Sequence, residues 1–282
     1  MREGYFVTRT YKSGNVWEKI KYWVPGKRPS KVGRVVRSEI NKQEQNETQT
    51  IRAAARVLNE NFKPGDIILG LDYSDEGLQR VMQKIADAEL MDDEEKALNI
   101  YEAASHEMRL FLRRVKRECD SRGIEFKYGI AITSDMDGKT GERVRVHHHM
   151  VINKESLAVA LEKWSLGGVS YKAMETQLDY TPIAEYFIRQ TRKIKDAKKF
   201  VCSRNLVRPV PKDRIVPSNA EIRVPANGVL LHRSEFKPGR PQYIRYVVDA
   251  KDKEINNNPS TAFGGPPPRC SGRHRKGEMH SV

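Results

Sequence analysis

Residues 144–153, Val-Arg-Val-His-His-His-Met-Val-Ile-Asn, place three consecutive histidines inside a run with the period of a strand. Side chains alternate faces along a strand, so Arg145, His147, His149 and Val151 share one side, while Val146, His148, Met150 and Ile152 share the other. The second side is apolar apart from one imidazole, as a core-facing surface should be. The first sets two imidazoles about 7 Å apart along the chain, a separation that a cation can span. A histidine run can also be a packed core feature with no ligand, and two imidazoles do not complete a metal site. The remaining donors must come from neighbouring elements.

The preceding segment predicts the partner strand. Phe126, Tyr128, Ile130 and Ile132 alternate with Lys127, Gly129, Ala131 and Thr133, giving one bulky face and one small face. With the loop Ser134 to Glu142 this reads as a hairpin, whose small face leaves room beside His147 and His149. Upstream, the spacing predicts a helix over Gln43 to Asn61, a Lys63-Pro64-Gly65 turn and a strand over Asp66 to Tyr73. A long helix from about Asp92 to Arg122 follows, ended by Gly123. Downstream come a helix from Ser156 to Trp164, a Gly167-Gly168 turn and a strand from Val169. A further helix opens at Thr181-Pro182, with Thr181 as N-cap and Pro182 at the first helical position. Its apolar side is Ile183, Ala184, Phe187 and Ile188, and Tyr186, Arg189, Gln190 and Lys193 share the other.

Charge narrows the class of partner. Across 282 residues, 51 Lys and Arg against 37 Asp and Glu leave a net +14, an excess that attracts polyanions, nucleic acid foremost. The acids concentrate between Asp72 and Glu107, while basic residues dominate the first 40 positions and Arg189 to Arg214. The first 40 residues also carry Tyr11, Trp17, Tyr22 and Trp23, fitting an edge hairpin or a nucleic-acid arm. No apolar stretch approaches the roughly 20 residues needed to span a bilayer, and the N-terminus lacks the pattern of a secretion signal. Cys119, Cys202 and Cys270 are odd in number and widely spaced, as expected of thiols in a reducing cytoplasm. Tyr243 to Val248 is strand-like, though its neighbours from 216 to 250 suggest no role. The Gly-, Pro- and Asn-rich tail after about 251 is expected to be disordered, with a basic end.

Taken in order, the strand Ile67 to Tyr73, the Arg-Val-His-His-His-Met-Val-Ile run, Trp164 to Gly168, the Tyr186 helix and Ser203-Arg204-Asn205-Leu206 with Pro209 resemble the replication-associated proteins of rolling-circle plasmids and phages, in the HUH endonuclease superfamily. Arg9 to Asn15 is similar to the opening of one branch of these proteins. The resemblance covers roughly residues 1–212. It implies an α+β fold, with a central antiparallel sheet and flanking helices of the HUH or RRM-like endonuclease type. The corresponding organisation is a basic N-terminal arm and helix over 1–60, an endonuclease domain over 61–215 and a C-terminal extension over 216–282.

The resemblance also implies the chemistry. His147 and His149 would hold Mg2+ or Mn2+, and Tyr186 would attack a phosphodiester of single-stranded origin DNA. The 5′ phosphate would become linked to the tyrosine, freeing a 3′ hydroxyl for a host polymerase in the bacterial cytoplasm. Where the family often carries Glu before the histidines, this chain has Thr133 and Ser134. Asp135 is the expected substitute ligand, with Glu142 and Asp72 as alternatives. Arg189 stands where the family has Lys and would act as an electrostatic stabiliser, because it does not release a proton at neutral pH; Lys193 could restore that proton transfer. Arg204 and Arg208 are expected to hold the DNA backbone. Tyr180 precedes the helix, so a single nucleophile is expected. The two departures leave a second class open, a non-catalytic nucleic-acid-binding protein with the same fold.

Overall fold

The computed structural model of the protein describes residues 3–27, 42–83, 85, 92–137, 140, 142–191, 199–234 and 239–248. In chain order the elements are β1 (Gly4–Ser13), β2 (Val16–Pro25), α1 (Lys42–Asn61), β3 (Ile67–Asp72), α2 (Asp75–Met82), α3 (Asp93–Ser121), β4 (Tyr128–Met136), β5 (Arg143–Ile152), α4 (Leu157–Lys163), β6 (Val169–Ala173), α5 (Thr181–Arg189), β7 (Val201–Cys202), β8 (Lys212–Val216), β9 (Gly228–Arg233) and β10 (Gln242–Val248). The class is α+β, with two antiparallel five-stranded sheets. Among the described residues, no helix is long and apolar enough to cross a membrane.

The first sheet runs β6-β3-β5-β4-β7, with the histidine strand in the middle. Alternation along β5 works as the sequence predicts. Val146, His148, Met150 and Ile152 are buried against Met108, Phe111 and Val115 of α3, together with Leu69, Leu71 and Tyr73. Each fully buried side chain of this size contributes roughly 1.5–3 kcal/mol. His148 has no exposed surface. Its Nε2 lies 2.8 Å from the Tyr73 hydroxyl, and its ring stands edge-on to Trp164. The long helix is capped by Asp92, whose carboxylate accepts the Glu94 and Glu95 amides, and Gly123 follows it at φ +69°.

The opposite face of the sheet carries Ala131 and Val151. It is covered by Ala54 and Leu58 of α1 and by Ile183, Ala184 and Phe187 of α5. The small face of β4 admits these neighbours: a Cβ on Gly129 would come within 2.8 Å of the Phe200 ring and 3.4 Å of Leu58. At that end of β4, packing fills the room that the sequence reserved for a ligand.

The second sheet runs β8-β1-β2-β10-β9: β1 and β2 form a hairpin with Gly14 at φ +57° in its turn, and the hairpin lies inside the sheet rather than at its edge. The expected boundary at residue 215 falls inside β8, which pairs with β1. Strands from 212 to 248 thus complete a sheet begun by residues 4–25, and Tyr243 to Val248 is its fourth strand, β10. This sheet meets α1 through charged and aromatic groups. Arg56 donates to both carboxylate oxygens of Glu18, at 2.8 and 2.7 Å, and its guanidinium lies 3.5 Å from the centre of the Tyr11 ring. Arg52 stacks in the same way on Tyr243, whose hydroxyl donates to Glu18 at 3.0 Å.

Candidate metal and nucleophile site

The middle strand and α5 bring the site together. His147 and His149 project from the α5 face of β5, with ring centres 4.7 Å apart. Phe187 stacks on the His149 ring at 5.7 Å and 14°, and the Tyr186 ring lies 5.0 Å from the same imidazole. The nucleophile candidate and the histidine pair therefore belong to one cluster of rings.

Between the two imidazoles sits a group that the sequence placed on a solvated helix face. Gln190, the residue after α5, is buried, and its Oε1 lies 3.0 Å from His147 Nε2 and 2.8 Å from His149 Nε2. His147 Nδ1 lies 2.8 Å from the Arg145 carbonyl, which can only accept, so in the neutral ring Nδ1 carries the proton. Nε2 then presents a lone pair towards the lone pairs of the Gln190 oxygen. A cation held by both the imidazole nitrogen and the amide oxygen would satisfy these lone pairs. The backbone carbonyl behind the ring is the usual outer partner of a ligating histidine. Donors at right angles about 2.1 Å from a divalent cation lie about 3 Å apart, so the separation of the Gln190 oxygen from each imidazole nitrogen is compatible with joint ligation of such an ion.

Asp135 is not brought to this set. The β4–β5 register pairs Ala131 with His149 but Ser134 with His147, a bulge of one residue on β4. Ser134 therefore takes the histidine face, and by alternation Thr133 takes the other, where its Oγ1 lies 2.6 Å from Ser105 Oγ of α3. Among the described residues, no three His, Cys, Asp or Glu side chains are grouped to hold a metal, so Glu142 and Asp72 do not complete the pair either. Asp72 is nonetheless paired across the ladder with His147 and is exposed on that face. Gly70 stands opposite His149, and a Cβ there would come within 2.6 Å of Ser170 Oγ and 3.9 Å of His149 Nδ1. Gln190 had one signal in the sequence: an amide four residues after the tyrosine, on its helical face.

The electrostatics follow from burial. His149 is driven from 6.5 down to about 3, chiefly by burial and then by the neighbouring His147, with the Gln190 bond acting the other way. It stays neutral across the physiological range, the form that binds metal. Burial also raises the Tyr186 phenol, assisted by the negative charges of Asp137 and Asp72 and opposed by a hydrogen bond to Gln190. At rest, then, the phenol keeps its proton.

The helix is held at its start by a carboxylate rather than by its own threonine. Thr181 is the first helical residue, not the N-cap, which is Tyr180. Asp179 Oδ1 accepts from the Thr181 amide at 2.9 Å and its hydroxyl at 2.7 Å, and Asn59 of α1 donates to the same oxygen at 2.9 Å. Arg245 of β10 pairs with Asp179 Oδ2 at 2.9 Å. Pro182 lies within the first turn as expected. Tyr180 is buried in the layer formed with α1, and burial pushes its phenol up to about 12.

Comparisons of the chain with protein-family models, with curated proteins and with solved structures each return no match. The remaining expected residues are placed by the structure alone. Arg189 is exposed and ion-paired with Glu185 one turn earlier, and Lys193 lies outside the described residues. In the Ser203-Leu206 segment the polar side chains are structural. Ser203 Oγ accepts the Tyr128 amide at 3.2 Å, Asn205 donates to the Phe126 carbonyl at 3.3 Å, and Leu206 is buried. Arg204 and Arg208 are left pointing outward, beside the end of β4 remote from the His147 pairing.

Proposed function

We propose that the protein is a DNA-nicking enzyme of the HUH type that initiates rolling-circle replication. The observation that carries this reading is the meeting of His147, His149 and Gln190 at one point, with Tyr186 one turn before Gln190 on the same helix. An antiparallel sheet with the histidine strand at its centre and the tyrosine helix across one face supports the same reading.

His147, His149 and Gln190 would hold a divalent cation, which when bound polarises the scissile phosphate and offsets its charge. The chain's own groups do the rest. Phe187 and the His149 ring fix the plane beside which Tyr186 lies, limiting the phenol to a small arc above the metal donors. The Tyr186 oxygen attacks phosphorus as it loses its proton, the Tyr–O–P bond forms and the P–O3′ bond breaks. The departing 3′ oxygen takes up a proton and becomes the primer for a host polymerase. Because burial keeps the phenol protonated at rest, activation coincides with the arrival of cation and phosphate. Arg189 would exchange Glu185 for the phosphate and stabilise the added charge. Arg204 and Arg208 would hold the strand's backbone beside β4.

The test is incubation with a labelled pool of single-stranded oligonucleotides and Mn2+, followed by denaturing electrophoresis. A metal-dependent, denaturation-resistant adduct is expected. No adduct on any strand, with binding retained, would instead establish the non-catalytic nucleic-acid-binding reading.

A further inference from the structure

The second sheet segregates its charges between its two faces. Its five strands contain two carboxylates, Glu18 and Asp213, and strand pairing puts both on the inner face with Arg9 and Arg245. Arg9 donates to both oxygens of Asp213 at 2.7 and 2.6 Å, and Arg56 of α1 does the same to Glu18. Both acids are therefore neutralised locally. The outer face carries Lys12, Lys19, Lys21, Lys212, Arg214 and Arg233 and no carboxylate from the strands.

Two of these cations hold the segment that crosses the outer face. Lys21 Nζ donates to the Ser218 and Ala220 carbonyls at 2.7 and 2.5 Å, and Lys19 Nζ to the Arg223 carbonyl at 3.1 Å. Ile222 of this strap is buried together with Ile244 and Tyr246 of β10. The β1–β8 half is left uncovered by these contacts. There Lys12, Lys212 and Arg214 are exposed around the half-buried hydroxyl-bearing residues Thr8 and Thr10, which pair with Arg214 and Lys212. Lys212 and Arg214 are two residues apart on one strand, about 7 Å, twice the 3.4 Å axial spacing of phosphates along one DNA strand.

From this one-sided arrangement we infer that the outer face of the β1–β8 pair binds the phosphate backbone of duplex DNA. A duplex is favoured over a single strand because single-strand sites stack bases on available rings. Here three of the four rings on this face lie under cations, Trp17 under Lys12, Phe6 under Lys21 and Tyr246 under Lys19, and the fourth, Trp23, sets its indole edge against Gly4 and is 38 % exposed. Cations and hydroxyls fix position on a backbone without reading sequence. The surface would hold duplex adjoining the strand being cut, and it stands whether or not Tyr186 is a nucleophile.

The experiment measures binding to a short duplex of arbitrary sequence over a range of salt concentrations. It compares the wild-type chain, Lys12→Gln/Lys212→Gln/Arg214→Gln and a control, Arg109→Gln/Arg113→Gln/Arg117→Gln, on exposed positions of α3. The surface variant should lose affinity at least tenfold, and its slope of log affinity against log salt should flatten by about 2–3, near 0.9 for each lost phosphate contact. Each single substitution should flatten it by about 1, which separates the effect from misfolding. Adduct formation on a short single strand should be unchanged. An unchanged duplex slope, equal flattening in the control, a loss confined to single strands, or a loss confined to phosphatidylserine vesicles would overturn the inference.

Discussion

Gln190 places its side-chain oxygen 2.8 Å from Nε2 of His149. An amide there contributes a neutral oxygen, where a carboxylate would contribute a charge. Gln190→Ala should therefore weaken Mn2+ binding at least tenfold, and Gln190→Glu should restore or tighten it, as read by calorimetric titration. Unchanged affinity in the alanine variant would remove Gln190 from the donor set.

His148 tests the alternation of β5. Its ring is fully buried and bonded to Tyr73, so His148→Ala should cost about 3 kcal/mol of unfolding free energy from the cavity and the lost bond. Metal affinity measured below the variant's melting temperature should match wild type. His147→Ala should do the reverse, leaving the melting temperature nearly unchanged and abolishing high-affinity binding.

Asp179 joins the start of the tyrosine helix to Arg245 in the second sheet. Asp179→Ala leaves Arg245 without this partner and the first turn of α5 uncapped, which should cost about 3 kcal/mol. In a double-mutant cycle with Arg245→Met, chemical denaturation should show coupling above about 1 kcal/mol. Strict additivity would mean that the two sheets are not joined through this pair.

The pH dependence follows from His149. Its folded pKa is depressed from 6.5 to about 3, so between those values the unfolded chain holds the extra proton. The stability associated with neutral His149 is complete above pH 6.5 and declines as pH falls towards 3. Without metal, wild type should be less stable at pH 5 than at pH 7.5, with about 2 kcal/mol of the loss removed in His149→Gln. Equal pH dependence in the two proteins would contradict that assignment.

The parts legible in the sequence were those fixed by local period. The faces of β5, the long helix ended by Gly123, and the apolar side of α5 all depend on residues within a few positions of one another. What stands beside the two histidines was illegible for two reasons. A one-residue bulge after Ala131 reverses the face of Thr133, a second irregularity follows between Ser134 and Met136, and alternation counted from Lys127 carries no sign of either. Gln190 shares a helix side with exposed Arg189, and only its position over the histidines separates a buried amide from a solvated one. The second sheet was hidden by distance along the chain: Tyr243 to Val248 reads as a strand, but its partner is Val16–Lys21.

The central claim is that Tyr186 forms the covalent link. Digesting the adduct with protease and nuclease and mapping the residual nucleotide by mass spectrometry tests this most directly. The nucleotide is expected on the peptide containing Tyr186. Tyr186→Phe should form no adduct yet bind the same strand within about twofold, because the ring's contacts with His149 and Phe187 remain; Tyr180→Phe should still form it. A nucleotide on any other residue, or an adduct formed by Tyr186→Phe, would contradict the account.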